Sequence, residues 1–173
     1  MRAPEDVLAE ASKLRELGVR NIRIGGQTCI ISYGSEDDSP VPKPNPDAVR
    51  ELFEGLAGMG FDTIHVDNAN AAVIATYPEE SREVLQILAD NCTDGNILAL
   101  GMESADPRVV IENNLNSTPE QILTAVRMIN EVGGGRGPRG MPLLLPGINI
   151  ICGLDGETKG TYGMNMEFLS QLR

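Results

Sequence analysis

The residues best able to bind or react fall into four short runs, each directly after an apolar stretch. They are Gly25-Gly26-Gln27-Thr28, His65-Val66-Asp67-Asn68-Ala69-Asn70, Gly101-Met102-Glu103-Ser104 and Cys152-Gly153-Leu154-Asp155-Gly156-Glu157. His65 is the one histidine, and Asp67 follows two residues on, so in an extended strand both point to one face. That pair could exchange a proton, with Glu103 as a further acid–base group, or supply part of a metal site. Zinc would need more ligands than this pair offers, and structural hydrogen bonding is the plainer role for a lone histidine. His65, Asp67, Asn68 and Asn70 are candidate cavity residues. Glycine, asparagine and aspartate also build ordinary turns, so one run alone carries little. Four such runs in the same relation to apolar stretches point to a ligand site.

Other constellations are weaker. Gly135-Arg136-Gly137-Pro138-Arg139-Gly140 matches G-x-G-x-x-G, but a helical pattern precedes it and a strand pattern follows. Its amides therefore do not open a helix, as dinucleotide binding requires, and it reads as a flexible helix-to-strand link. Cys29, Cys92 and Cys152 lie tens of residues apart and read as packing or rim thiols. No G-x-S-x-G nucleophile elbow is present, and no hydrolase triad is read from the sequence. The sequence offers no metal site of its own.

The elements that must position these runs alternate along the chain. Pro4-Glu5-Asp6 opens a helix with proline in its first turn and acids at its positive end. A strand over Asn21–Ile24 follows. Asn45 caps a helix bearing Val49, Leu52, Phe53 and Leu56, then a strand spans Asp62–Asp67. Pro78 opens a helix with Val84, Leu85 and Leu88 inside, followed by a strand at Asn96–Leu100. Thr118-Pro119-Glu120-Gln121 has the form of a capping box, and its helix runs to Gly133. An apolar strand over Leu143–Cys152 and a helix from about Thr158 complete the order α-β-α-β-α-β-α-β-α. This is an α/β pattern with parallel strands, expected to be buried on both faces, and right-handed crossovers. Ligand sites in such folds form outside the carboxyl ends of the strands, where the four runs stand. The opening helix lacks a strand to cover, so an upstream strand is expected beyond this chain.

Composition bounds the function. The 173 residues, 41% hydrophobic and without tryptophan, suit one domain (1–173) with an aliphatic core. A formal net charge of -11 disfavours nucleic-acid contact by this segment. No apolar run has transmembrane length, and three scattered cysteines fit a reducing compartment, so a cytoplasmic location is expected.

Taken together, the four runs resemble the radical S-adenosylmethionine (SAM) superfamily. Gly25-Gly26-Gln27 stands where that family has Gly-Gly-Glu. Gly101-Met102-Glu103-Ser104-Ala105-Asp106 with Pro107-Arg108 is similar to its fourth-strand segment. Gly147-Ile148-Asn149-Ile150-Ile151-Cys152-Gly153-Leu154-Asp155-Gly156-Glu157-Thr158 is similar to its fifth strand, with an ending typical of the MiaB/NifB-like branch. Gly26-Gln27-Thr28 through Ser32-Tyr33-Gly34 also resembles the tRNA methylthiotransferases, and the charge and loop pattern an archaeal group of radical SAM proteins.

The resemblance implies a partial TIM-like (β/α) barrel containing the family's second to fifth strands. It implies that Gly25, Gly26 and Gln27 face the methionine end of SAM, Glu103 and Ser104 its ribose or carboxylate, and Ile150 and Cys152 its adenine. Gln27 in place of glutamate makes its contact with the SAM amino group neutral or leaves it to backbone carbonyls. The Cys-x3-Cys-x2-Cys loop that binds the family's 4Fe–4S cluster is absent here, so the parent protein is expected to hold the cluster and this segment alone to be inactive. The substrate is left open. The alternatives are a TIM-barrel lyase or hydrolase using His65, Asp67 and Glu103, and a noncatalytic nucleotide-binding module. Free sheet edges are expected to pair two copies into a homodimer.

Overall fold

A computed structural model describes residues 2–172. Its elements are α1 (Pro4–Glu16), β1 (Asn21–Ile24), α2 (Pro46–Ala57), β2 (Thr63–Val66), β3 (Asn68–Ala69), α3 (Ala71–Thr76), α4 (Pro78–Asn91), β4 (Asn96–Glu103), α5 (Pro107–Glu112), α6 (Pro119–Gly133), β5 (Leu144–Ile150) and α7 (Lys159–Ser170). Local chemistry sets the helix starts. Asn45 Oδ1 accepts from Ala48 N at 3.2 Å before α2. At α6 the capping box closes in both directions, with Thr118 N donating to Gln121 Oε1 at 2.9 Å and Gln121 N to Thr118 Oγ1 at 3.4 Å.

The strands run parallel, as the alternating pattern requires, but they form two small sheets and no closed barrel. One is β1-β2 and the other β3-β4-β5. The break between them falls at Asp67, between β2 and β3, and hydrogen bonds from both sides span it. Val66 N donates to the side chain of Asn96 (Oδ1, 2.8 Å), and Ala99 N to Asp67 O (3.2 Å). Asn96 is fully buried, so its amide takes the place of a missing strand-to-strand bond.

Both faces of the strands were expected to be buried, and only one is. Ile64, Val66, Leu98, Leu100 and Met102 are buried in the core with Val49, Leu52, Phe53 and Leu56 of α2, Leu85 and Leu88 of α4 and Ile122 and Ile129 of α6. The alternate residues Thr63, His65, Ile97, Ala99 and Gly101 lie on the other face, where Ile97 is 51% exposed. Registry brings Arg23 beside His65, Ala99 beside Gly147 and Gly101 beside Asn149 on that open face.

Other departures from the expected order have local causes. Two short helices are additional, α3 capped by Asn70 (Oδ1 accepting from Ala72 N, 2.8 Å) and α5 capped by Asp106 (Oδ1 accepting from Arg108 N, 3.0 Å). β4 continues past Leu100 to Glu103, while β5 stops at Ile150, leaving Cys152 in the following loop. The glycine–arginine link is tied rather than free. The buried Asp94 carboxylate accepts from Arg139 N (2.9 Å) and Met141 N (3.3 Å), and Arg136 bridges antiparallel to Pro142. Among the described residues no helix is long and apolar enough to cross a membrane.

Because Asn96 joins the two sheets from a buried position, Asn96→Ala is expected to lower unfolding free energy by about 1–3 kcal/mol. Urea denaturation followed by circular dichroism checks this. A loss within about 0.5 kcal/mol, the range of ordinary surface substitutions, would remove that joining role.

Candidate functional site

The carboxyl end of β4 is the most constrained point of the rim. Register with β5 shifts between Gly101 and Glu103, and Glu103 takes a left-handed φ of 61°. A glutamate there costs on the order of 1–3 kcal/mol and persists only where the surroundings impose it. They do so through α7. Ala105 N donates to Asn165 Oδ1 (2.7 Å) and Thr161 Oγ1 to Asp106 Oδ2 (2.7 Å), both buried. The Thr161 hydroxyl holds the Asp106 carboxyl below its ordinary range. Ile151 N donates to Glu103 O at 3.1 Å.

The Glu103 side chain leans back over Gly101, where an added methyl would stand 2.8 Å from Oε1. Its Oε2 is buried without a hydrogen-bond partner, and burial pushes the carboxyl above its usual value. Ser104, expected to face a ligand beside it, is fully buried, and its Oγ accepts from Asp106 N at 3.2 Å.

Glu103 borders a cleft of about 470 Å³ at the strand ends, together with Thr28, Asn68, Asn70, Asn149 and the Asn113–Ser117 loop. Some of these amides are structural. Asn70 caps α3 and its N–H donates to the Cys29 sulfur at 3.2 Å, while Asn113 Nδ2 donates to Asp155 O at 2.9 Å. The side chains of Asn68, Asn114, Asn116 and Asn149 bond no other described residue, so their donors and acceptors are free toward the cleft. Asn114, Asn116 and Asn149 were not anticipated as site residues. For Asn149 the signal was available, since it stands in the last apolar strand.

Gly25, Gly26 and Gln27 border a second cleft of about 760 Å³, between β1 and α1, and Thr28 borders both. Gly26 needs its glycine for a φ of 83°. Gly25 needs its own because an added methyl would stand 2.8 Å from Asp67 Oδ2. Gln27 turns back on the strand, its Nε2 donating to Ile24 O at 3.3 Å. Ile150 is half-buried at the end of β5 and Cys152 is exposed beyond it.

His65 and Asp67 share the open face, as their spacing predicts, yet Asp67 is ion-paired with Arg23, a residue not singled out from the sequence. His65 Nε2 is buried without a partner. Asp67 is thus committed to a cation rather than to the imidazole.

No combination of the cysteines fits a 4Fe–4S cluster. Cys29 is buried against Asn70, burial pushes the Cys92 thiol up to about 12, and Cys152 is exposed in a separate loop. Among the described residues no group of three metal-ligating side chains is gathered.

No family model matches the chain. It is 47% identical to an uncharacterised protein of Methanocaldococcus jannaschii, over 99% of this chain and 32% of that protein. It is 42% identical to an uncharacterised protein of Archaeoglobus fulgidus, again over 99% of this chain and 32% of the relative. The ribosomal protein uS12 methylthiotransferase RimO of Clostridioides difficile is 24% identical over 98% of this chain and 34% of its own length. The chain is distantly similar to radical SAM methylthiotransferases. It spans about a third of the length of these relatives.

The raised Glu103 carboxyl sets a pH signature. Below the ordinary glutamate value, about 4.3, the group is neutral folded or unfolded and burial costs nothing. As pH rises through the elevated folded value, the unfolded chain ionises more readily and stability falls. Glu103→Gln is therefore expected to raise Tm at pH 7, with the gain shrinking as pH falls toward 4. Thermal melts of both proteins across that range measure it, and a pH-independent difference would contradict the assignment.

Proposed function

We propose that this chain belongs to a radical SAM enzyme and forms the SAM- and substrate-facing rim of a partial (β/α) barrel. The iron–sulfur cluster is then held by residues outside this segment, and the segment by itself has no radical activity. In such enzymes SAM is cleaved reductively to a 5'-deoxyadenosyl radical that removes a hydrogen from substrate.

The observation that carries this reading is the polar cleft at the carboxyl ends of β3, β4 and β5, with the unpartnered Glu103 carboxylate at its edge. SAM presents an ammonium group, ribose hydroxyls and an adenine edge. The free Oε2 of Glu103 accepts from a ribose hydroxyl or the ammonium, and the unpaired amides of Asn68, Asn114 and Asn149 suit the donors and acceptors of an adenosine. Gly26, beside open space and flanked by Gly25 and Gln27, lets a ligand's methionine end approach the backbone closely, with Thr28 joining the two clefts. Ile150 packs against the base and Cys152 borders it. Similarity to the methylthiotransferases supports the same assignment and extends it to sulfur-transfer chemistry in the longer protein. A cytoplasmic location and pairing through the free edges of β1 and β5 belong to the same reading. The acid–base alternative loses support because Asp67 is paired with Arg23 and not with His65.

Calorimetric titration of the chain with SAM tests this. Saturable binding is expected, weakened roughly tenfold or more by Glu103→Gln, as for loss of one hydrogen bond to a charged group. No saturable binding to the folded chain, or equal affinity in the variant, would overturn it.

A further inference from the structure

The open sheet face carries a second polar centre, apart from the Glu103 cleft. Arg23 on β1 and His65 on β2 are registered partners, so their side chains stand side by side on that face. Asp67, two residues after His65, holds the Arg23 guanidinium through its Nε. That pairing leaves the two terminal nitrogens of the guanidinium without an acceptor among the described residues. The Arg23 side chain is 64% exposed, so those nitrogens are reachable. His65 Nε2 is buried and has no partner, which is costly for a polar ring atom unless something else meets it.

We propose that Arg23 and His65 bind an oxyanion of the substrate, a carboxylate or a phosphate, with Asp67 as the positioning residue that orients Arg23. The terminal amino groups of Arg23 donate to the oxyanion, as a planar guanidinium does to carboxylates and phosphates alike. The Nε2–H of His65, in that tautomer, donates to the same group once the ring turns out of its buried setting. Asp67 neutralises one unit of charge and fixes the direction of the guanidinium, so the site selects by hydrogen-bond geometry rather than by attraction alone. The protein's formal net charge of -11 otherwise repels anions, which makes a directed pair of donors necessary for one to settle here. No residue of the Glu103 cleft takes part, although Arg23 also borders the neighbouring cleft of Gly25, Gly26 and Gln27.

His65 is the chain's one histidine, so its ring gives a single unambiguous set of NMR signals. The untagged chain is titrated at constant pH and ionic strength with inorganic phosphate, and in parallel with acetate. A saturable shift of the His65 ring signals is expected with at least one anion, and the tighter of the two names the source. Arg23→Gln is expected to weaken that binding roughly tenfold or more, and Arg23→Lys to retain part of it, with the folded spectrum unchanged. Absence of saturation with both anions would overturn the proposal, as would saturation that is equal in Arg23→Gln. Glu103→Gln, which is expected to weaken SAM binding, is expected to leave the anion-induced shift of the His65 signals as in the parent chain, keeping the two sites distinguishable.

Discussion

The hydrogen bonds that tie the loop after β4 to α7 govern the geometry of the rim. Asn165 and Thr161 reach a segment some sixty positions earlier, and their partners, the Ala105 amide and the Asp106 carboxylate, lie directly after Glu103. With that segment anchored, the strand cannot relax its irregular register against β5, and Glu103 is held in the left-handed region. The same anchoring buries Ser104 and uses its hydroxyl to satisfy the Asp106 amide. α7 thus acts as a clamp on the end of β4.

A second constraint repeats at two strand ends. At Gly25 and again at Gly101 a carboxylate oxygen lies where a methyl would have to go, from Asp67 in one case and Glu103 in the other. Each glycine makes room for an acid on the open face. The partners differ. Asp67 has the Arg23 cation, whereas Glu103 has one buried oxygen without any partner. Of two acids in similar seats, one is electrostatically settled and the other has a buried oxygen with no partner among the described residues.

Much of this was legible in the residues. Pro4, Asn45, Pro78 and Thr118 marked helix starts where the structure has them, because caps act over three or four residues. The strand segments near residues 21, 63, 96 and 144 were marked by short apolar runs. What was not legible depended on distant contacts. The two extra helices rest on Asn70, which looked like part of a polar strand end, and Asp106, and both proved to be caps. The burial of Ser104 depends on α7. Nothing near Arg23 in the chain signals that it meets Asp67, because that contact follows from the register of β1 on β2. The open face could not be read either, since Ile97, which proves half exposed, is chemically like its buried neighbour Leu98.

Among the described residues two take positive φ without being glycine, and they differ in meaning. Asn114 at 48° is of the type that tolerates this region, its short amide bonding locally at low cost. Glu103 at 61° has no such excuse, and it also bears a buried, unpaired oxygen. Strain and desolvation both raise the free energy of the ligand-free protein at this one residue. A bound donor would relieve the desolvation and leave the strain unchanged. In the proposed site the strain serves position, fixing the carboxylate at the strand end in advance, while the unpaired oxygen would supply the affinity. A residue selected for fold stability alone would be glycine at this φ or a side chain with its hydrogen bonds complete. Glu103 is neither, and the clamp from α7 is what the fold contributes to keep it there.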